Sequence, residues 1–347
     1  MQKKKRVTIK DVAQLAGTSV ATVSYVLNKV EGRYITPEMR TNVENAAAEL
    51  GYVKSLAASR LKGKEMGVIA FLTPQFDNHF FLEVFFAIEE IANQKGYVLS
   101  VCNTCDDPLY EKRVIERLNQ LWIDACLIIP TYKGVENAQY LQQHGIPFVS
   151  IERPLPGLME YDFISSDNFD AAYQMTKHMI EQGHNRIALV YWDSLILNLD
   201  ERLAGYRKAL EDHGIAYEEN LVYRTKLSER TEILTHAEGR RLTEEILLDP
   251  SVTAIFYSQY VLAEGGVRLL REKGRRIPEE ISVGILGAPK WVSMSENNFT
   301  HILQPGKEIG KKAAEIIFSK LEKQAVEPIQ ETIACTLNLG STVKKIG

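Results

Sequence analysis

Thr8-Ile-Lys-Asp-Val-Ala-Gln-Leu-Ala-Gly-Thr-Ser-Val-Ala-Thr-Val-Ser-Tyr-Val-Leu-Asn28 is the stretch that decides the fold of the chain's beginning. Thr8, with Asp11 three residues on, forms a capping-box pattern that opens a helix carrying Val12, Leu15 and Ala16 on one face. Gly17 stops that helix, and Ser19 caps a second with Val23, Val26 and Leu27 on its inner face. Thr36-Pro37-Glu38 then starts a third, running through Met39, Val43, Ala46, Ala47 and Leu50 to Gly51. Two short helices joined at Gly17-Thr18, completed by a third, make a helix-turn-helix arrangement. The outward positions of the second helix (Ser19, Val20, Ala21, Ser24, Tyr25 and Asn28) are small or hydrogen-bonding, so its backbone can approach a DNA groove. Lys3, Lys4, Lys5, Arg6 and Lys10 are placed to reach phosphates. A three-helix protein-interaction domain without nucleic acid would share the pattern.

Charge supports the first reading. Residues 1–64 hold 12 Lys/Arg against 5 Asp/Glu, a net of +7, while the other 283 residues hold 29 against 40, a net of −11. A small basic segment on a large acidic body suits a polyanion-binding module joined to a part with a different task. The 347 residues, 45% hydrophobic and 25% charged, have the composition of a soluble protein of two or three domains. No apolar run approaches the roughly 18–20 residues a membrane span needs. Met1–Arg6 is followed by Val7-Thr-Ile-Lys-Asp-Val12 instead of an uninterrupted apolar core, so no secretory signal is expected. Cys102, Cys105, Cys126 and Cys335 form no disulfide framework, and the expected location is the cytoplasm, at the nucleoid.

These residues resemble the opening of a lactose-repressor (LacI/GalR) family transcription factor. Glu49-Leu-Gly-Tyr52 and Ala58-Ser-Arg-Leu61 fall where that family has the end of its third helix and its hinge helix. The resemblance implies base reading in the major groove by Val20, Ala21 and Tyr25, and phosphate contacts or positioning by Thr8, Ser19, Thr22, Ser24, Asn28, Thr36 and Tyr52. It also implies a hinge that folds on DNA and wedges Leu61, with Ala58 one turn before it, into the minor groove at the centre of the site. The third reader is often Arg in the family and is Tyr25 here, which implies weaker dependence on guanine, because a phenol cannot grip O6 and N7 bidentately. The loop between the second and third helices is about two residues longer than in the lactose repressor, and Lys54-Ser55 replaces the usual Pro-Asn before the hinge.

After Lys62-Gly-Lys64 short apolar runs alternate with helical stretches. Strands are predicted at 67–72, 97–101, 125–129, 148–151, 186–190, 254–257 and 281–286, with helices over 80–95 and 108–121. Such alternation implies parallel sheets with right-handed crossovers, and nearly 280 residues implies two lobes. The resemblance continues through Asn78-His-Phe-Phe81, Ser166-Asp-Asn168, Glu181-Gln-Gly-His-Asn-Arg-Ile187, Arg202-Leu-Ala-Gly205 and Ile302-Leu-Gln-Pro305. The expected fold class is thus an all-α helix-turn-helix head on an α/β two-lobed, periplasmic-binding-protein-like (type I) core. The expected division is a head over 1–52, a hinge over 53–64 and a core over 65–347. Lobe 1 is expected at about 65–183 and 304–328, and lobe 2 at about 184–303 and 329–347, with crossings near Gly183, Gln304 and Pro328.

The effector is expected between the lobes, at the carboxyl ends of the strands. Arg202 is the strongest carry-over, because a buried guanidinium needs an anion or several hydrogen-bond acceptors. Phe80 and Phe81 are candidates for stacking on a ring face, Asp167 for accepting from hydroxyls, and Trp192, Tyr257 and Trp291 for lining the pocket. Phe81 as plain core and Asp167 as a helix cap remain open alternatives. Gln259-Tyr260 and Gly287-Ala288 stand where the family often has Asn-Asp and Asp-Asp, so a more aromatic, less acidic pocket is expected.

No zinc spacing, phosphate-cradling loop or nucleophile elbow is present, and Cys102-Asn-Thr-Cys105 ends a strand instead of opening a helix. The expectation is a regulator and not an enzyme, without catalytic residues, metal or cofactor, most simply a repressor. Its partners would be palindromic operator DNA, a second copy of the chain and a sugar-like effector. The alternatives are a cytosolic small-molecule-binding protein without DNA regulation, or a regulator signalled by a protein partner.

Overall fold

A computed structural model describes residues 7–28, 30, 32–53, 65–192, 197–225, 236–287, 292, 298–323 and 327–346. The chain divides into two units, Met1–Met66 and Gly67–Gly347.

In the first unit, α1 (Ile9–Leu15), α2 (Val20–Leu27) and α3 (Pro37–Glu49) start where the caps predict. The Asp11 carboxylate accepts from the Thr8 N–H (2.7 Å) and the Thr8 hydroxyl (2.8 Å). Ser19 and Thr36 accept from the backbone N–H groups of Thr22 and Met39. Each cap satisfies a donor that the first helical turn leaves without an intrahelical partner. Val12, Ala13, Val23, Val26, Val43 and Ala46 form a small core, on which Tyr52 packs.

The second unit is built on two sheets. The first comprises β1 (Val68–Thr73), β2 (Val98–Asn103), β3 (Ala125–Ile128), β4 (Phe148–Ile151), β5 (Asp162–Ser166) and, late in the chain, Gln330–Ile333, in the order last-β5-β4-β3-β1-β2. Every pairing in it is parallel. Between these strands run α4 (His79–Gln94), α5 (Pro108–Gln120) and α6 (Val135–Gln143). From β5 the chain enters α7 (Asn168–Glu181), then β6 (Ile187–Tyr191), α8 (Leu197–Asp212), β7 (Val222–Arg224), α9 (His236–Ile246), β8 (Ala254–Tyr257), α10 (Tyr260–Glu272), β9 (Ser282–Leu286) and β10 (Thr300–Leu303). α11 (Gly306–Leu321) returns to the first sheet and leads into its last strand, β11 (Gln330–Ile333). β12 (Thr336–Asn338) closes the second sheet, ordered β12-β10-β9-β8-β6-β7, pairing antiparallel with β10.

Each sheet is covered on both faces, as parallel sheets require. α4 and α11 share one apolar core of the first sheet, and Ile115, Leu118, Ala138 and Leu141 of α5 and α6 pack into the other. In the second sheet α7 and α8 cover one face, and α9 and α10 the other.

Two of the three predicted crossings move. Ala171, Ala172, Met175 and Met179 of α7 sit in the core of the second sheet, so the chain changes lobe at Asp167, just after β5, and not near Gly183. The last crossing lies between Ile333 and Thr336, beyond Pro328, because Gln330–Ile333 pairs with Phe163–Ser166. The second crossing runs through Gln304, between β10 and α11.

Candidate effector cleft and nucleic-acid-facing helix

Both sheets aim their strand ends at one cavity of about 320 Å³, close to the lower end of the usual range for small-molecule sites. From lobe 1 the wall includes Gln75 and Asp77 after β1, Phe80 and Phe81 in the first turn of α4, and Glu152 and Arg153 after β4. From lobe 2 it includes Trp192 after β6, Arg202 on α8, and Gln259, Tyr260 and Glu264 after β8. Gln304, in the second crossing, completes it. Strand carboxyl ends supply these side chains because helix starts and loops, not strands, leave the sheet there.

Arg202 is 3% exposed. Its Nε donates to Asn168 Oδ1 (2.8 Å), and an Nη donates to the Ser258 carbonyl (2.6 Å). The close approach of α8 to α7 makes this reach possible: a methyl group on Gly205 would collide with the Phe169 carbonyl. Asn168 in turn donates to Glu152 (3.3 Å), and so does Gln304 (3.2 Å). The N–H and hydroxyl of Ser166 donate to the same carboxylate, each at 3.0 Å. Burial pushes the Glu152 carboxyl up, while these hydrogen bonds and the Arg202 charge pull it back. The opposite balance acts on Arg202, where burial works against the charge that Glu152 supports. Arg202, Asn168, Glu152 and Gln304 therefore form one bonded chain that includes residues at two of the lobe crossings.

The second arginine of the cavity is already matched. Arg153 donates to both carboxylate oxygens of buried Asp106 (2.6 and 3.1 Å) and to the Pro130 carbonyl (3.0 Å). On lobe 2, Glu264 lies 3.5 Å from the His236 ring, an ion pair when that ring is protonated.

The sequence expectations divide accordingly. Arg202, Phe80, Phe81 and Trp192 all line the cavity. Phe80 and Phe81 also belong to the lobe 1 core, with ring centroids 5.6 Å apart, so for Phe81 both readings coexist. Asp167 caps α7 by accepting from the Asp170 N–H (2.8 Å) and is absent from the cavity wall. Tyr257 is fully buried on the α9–α10 side of its sheet, its hydroxyl 2.8 Å from Thr243 Oγ1. Strand alternation turns it away from the cleft. Trp291 and Ala288 lie outside the described residues.

The expectation of a less acidic pocket is also corrected. Three carboxylates line the cavity from other positions: Asp77 and Glu152 from lobe 1, and Glu264 one turn along α10 from Tyr260. Sequence reasoning missed Glu152 and Arg153, although their place directly after the apolar run Phe148–Ile151 was the available signal.

On the head, Val20 and Ala21 are exposed at the start of α2, and Tyr25 is half-buried one turn later. The Arg33 guanidinium, from the long loop before α3, lies over the Tyr25 ring at 5.4 Å; the sequence reading missed this contact. The assigned phosphate positions have local partners as well. Thr8, Ser19 and Thr36 cap helices, the Thr22 hydroxyl is 2.9 Å from that of Ser19, and the Asn28 amide donates to the Ser24 carbonyl (2.6 Å) and hydroxyl (3.2 Å). A capping hydroxyl keeps capacity for a second bond, so both roles are compatible. Ala58, Leu61 and Lys3 to Arg6 lie outside the described residues, while Lys10 is exposed.

Residues 8–55 match the model of bacterial regulatory proteins of the lacI family, and residues 176–343 match a periplasmic binding protein-like domain. The HTH-type transcriptional repressor PurR of Vibrio atlanticus is 32% identical over 318 residues, covering 91% of this chain and 92% of the relative. Among solved structures, the transcriptional regulator CelR–cellobiose complex is 26% identical, with a TM-score of 0.71 over 97% of this chain and all of that one. The lac repressor dimer bound to operator and the anti-inducer ONPF has a TM-score of 0.80 at 24% identity, covering 98% and 100%.

Proposed function

The chain belongs to the lacI family of bacterial regulatory proteins, and from that premise we propose that it is a repressor that binds a palindromic operator as a homodimer and answers to a small, uncharged, hydroxylated effector. The observation that carries the effector reading is the bonded chain Arg202–Asn168–Glu152–Gln304. A ligand that takes the remaining donors of Arg202 perturbs residues at two lobe crossings at once, which couples occupancy to lobe arrangement. Charge argues for an uncharged ligand. Arg153 is neutralised by Asp106 and Arg202 faces Glu152, while Asp77 and Glu264 would repel an added anion. Hydroxyl groups suit these carboxylates as donors, and Phe80, Phe81, Trp192 and Tyr260 offer faces for a sugar ring. The relative solved with cellobiose binds a ligand of that class.

Binding of the head would follow the assignments above, with Val20, Ala21 and Tyr25 reading bases, and Thr8, Ser19, Thr22, Ser24, Asn28, Thr36 and Tyr52 holding the backbone. Residues 53–64 would serve as the hinge, with Ala58 and Leu61 at the minor groove, between a head over 1–52 and a core from 65. Dimerisation is supported by the open edge of the first sheet. Val98 on edge strand β2 is 64% exposed, and Phe76, Phe85 and Val101 share an apolar hollow of about 210 Å³.

Calorimetry with the full-length protein tests the effector class, using D-ribose, D-glucose and cellobiose beside ribose 5-phosphate, glucose 6-phosphate and gluconate. Saturable binding confined to uncharged sugars supports the reading. Preference for a phosphorylated or carboxylated compound overturns it.

A further inference from the structure

Tyr260 is the first residue of α10, on lobe 2, yet its hydroxyl engages lobe 1. It donates to the Asp77 carbonyl at 3.5 Å, in the loop that leads into α4. Asn78, the cap of α4, accepts from the N–H of Phe80 (3.1 Å), so the tyrosine meets the backbone one residue before that cap. The ring has its own seat. Gly287 ends β9 with φ +99°, and a Cβ there would stand 3.0 Å from Tyr260 Cδ1 and 3.3 Å from its Cβ. The bare glycine surface thus lets the ring lie across the cleft floor on its way to α4. On one side of the ring is the main cavity. On the other is a chamber of about 20 Å³, beside His79, Glu83 and Leu303, with room for about one water molecule. Phe80 and Gln304 line both spaces, so Tyr260 stands as a partition between them.

We infer that Tyr260 is a strap and specificity-determining wall: it ties lobe 2 to the loop that leads into α4 before any ligand arrives and limits the ligand to the main cavity. The residue acts by position. It has one bond donated across the cleft and a ring braced by Gly287. Part of the lobe closure that a ligand would otherwise have to supply is built into the chain, and an elongated ligand must displace the ring to extend toward Glu83. The tie is independent of what the cleft binds; only the confinement of a ligand rests on the effector reading above.

The test uses ligand-free, full-length protein, so that a failure of the effector reading does not disturb it. Spin labels are placed at Lys112→Cys on α5 and Leu248→Cys beyond α9, both exposed, with Cys102→Ser and Cys105→Ser removing the accessible native thiols. Labelled chain is diluted into unlabelled chain so that only the distance within one chain is read. Tyr260→Phe keeps the ring on Gly287 and removes the hydroxyl, and Tyr260→Ala removes both. The parent should give one narrow interlobe distance, Tyr260→Phe a broader distribution, and Tyr260→Ala the broadest. An unchanged distance distribution in Tyr260→Phe overturns the strap. A Tyr260→Ala protein that fails to fold leaves the Tyr260→Phe comparison intact.

Discussion

Glu111 shows how a single side chain sets a measurable property of the whole lobe. It is fully buried on α5 and accepts from the Thr131 N–H (2.8 Å), the Thr131 hydroxyl (3.1 Å) and Asn137 Nδ2 (2.7 Å). Burial outweighs these bonds and the Arg153 charge, and the carboxyl is pushed up to about 7 from 4.5. Between those two values the folded state binds the proton that the unfolded state has released, so stability from this group is full at low pH and is lost as pH rises to about 7. The loss is on the order of 3 kcal/mol. Chemical unfolding of the parent across this window should show the decline, and Glu111→Gln should flatten it; an equal slope in the variant would remove Glu111 as the cause.

The head offers a second test at the same scale. Tyr25 carries Arg33 over its ring, so Tyr25→Arg should both introduce guanine preference at one operator position and displace Arg33 from its seat. Selection of the variant on random duplex DNA should return an altered half-site, and an unchanged one would remove Tyr25 from the readers.

At the scale of elements, Gly205 joins sequence to site most directly. It lets α8 lie against α7, and that contact brings Arg202 within reach of Asn168. Gly205→Ala should therefore cost about 1–3 kcal/mol of stability by overpacking and weaken effector binding, although position 205 is not part of the cavity wall. Calorimetry beside thermal unfolding would show whether the two losses travel together; stability lost with affinity intact would break the proposed link.

Elements with strong local signals were legible in advance. Thr8, Ser19 and Thr36 announced the three head helices, and the apolar runs at 148–151 and 254–257 announced β4 and β8 with the bounds observed. β5, β11 and β12 were not legible, because Asp162–Ser166, Gln330–Ile333 and Thr336–Asn338 are short, mixed in polarity and defined by partners far away in sequence. The first crossing was misplaced for a related reason. The amphipathic pattern of α7 shows that it covers a sheet, without showing which one. Tyr257 misled because β8 is buried on both faces, which erases the alternation that would assign its side. Arg202 was legible from the family pattern, whereas Glu152 acquires its meaning only once Asn168 and Gln304 are folded against it.

The whole molecule joins a compact helical unit to a two-lobed unit with a polar, internally bonded cleft. Its proposed dimer edge makes a prediction at this scale. Val98→Asp with Val101→Asp should leave the lobe folded, since both residues are exposed, and should shift sedimentation from dimer to monomer and weaken operator binding. A dimer unaffected by both changes would place the interface elsewhere.

The central claim is operator recognition under effector control, and the most direct measurement is selection of full-length protein on random duplex DNA, followed by affinity titration at several salt concentrations. The expected result is one palindromic consensus, bound far more tightly than unrelated duplex, with an affinity that falls steeply as salt rises. Binding without an enriched sequence, or an enriched sequence without two-fold symmetry, would contradict it.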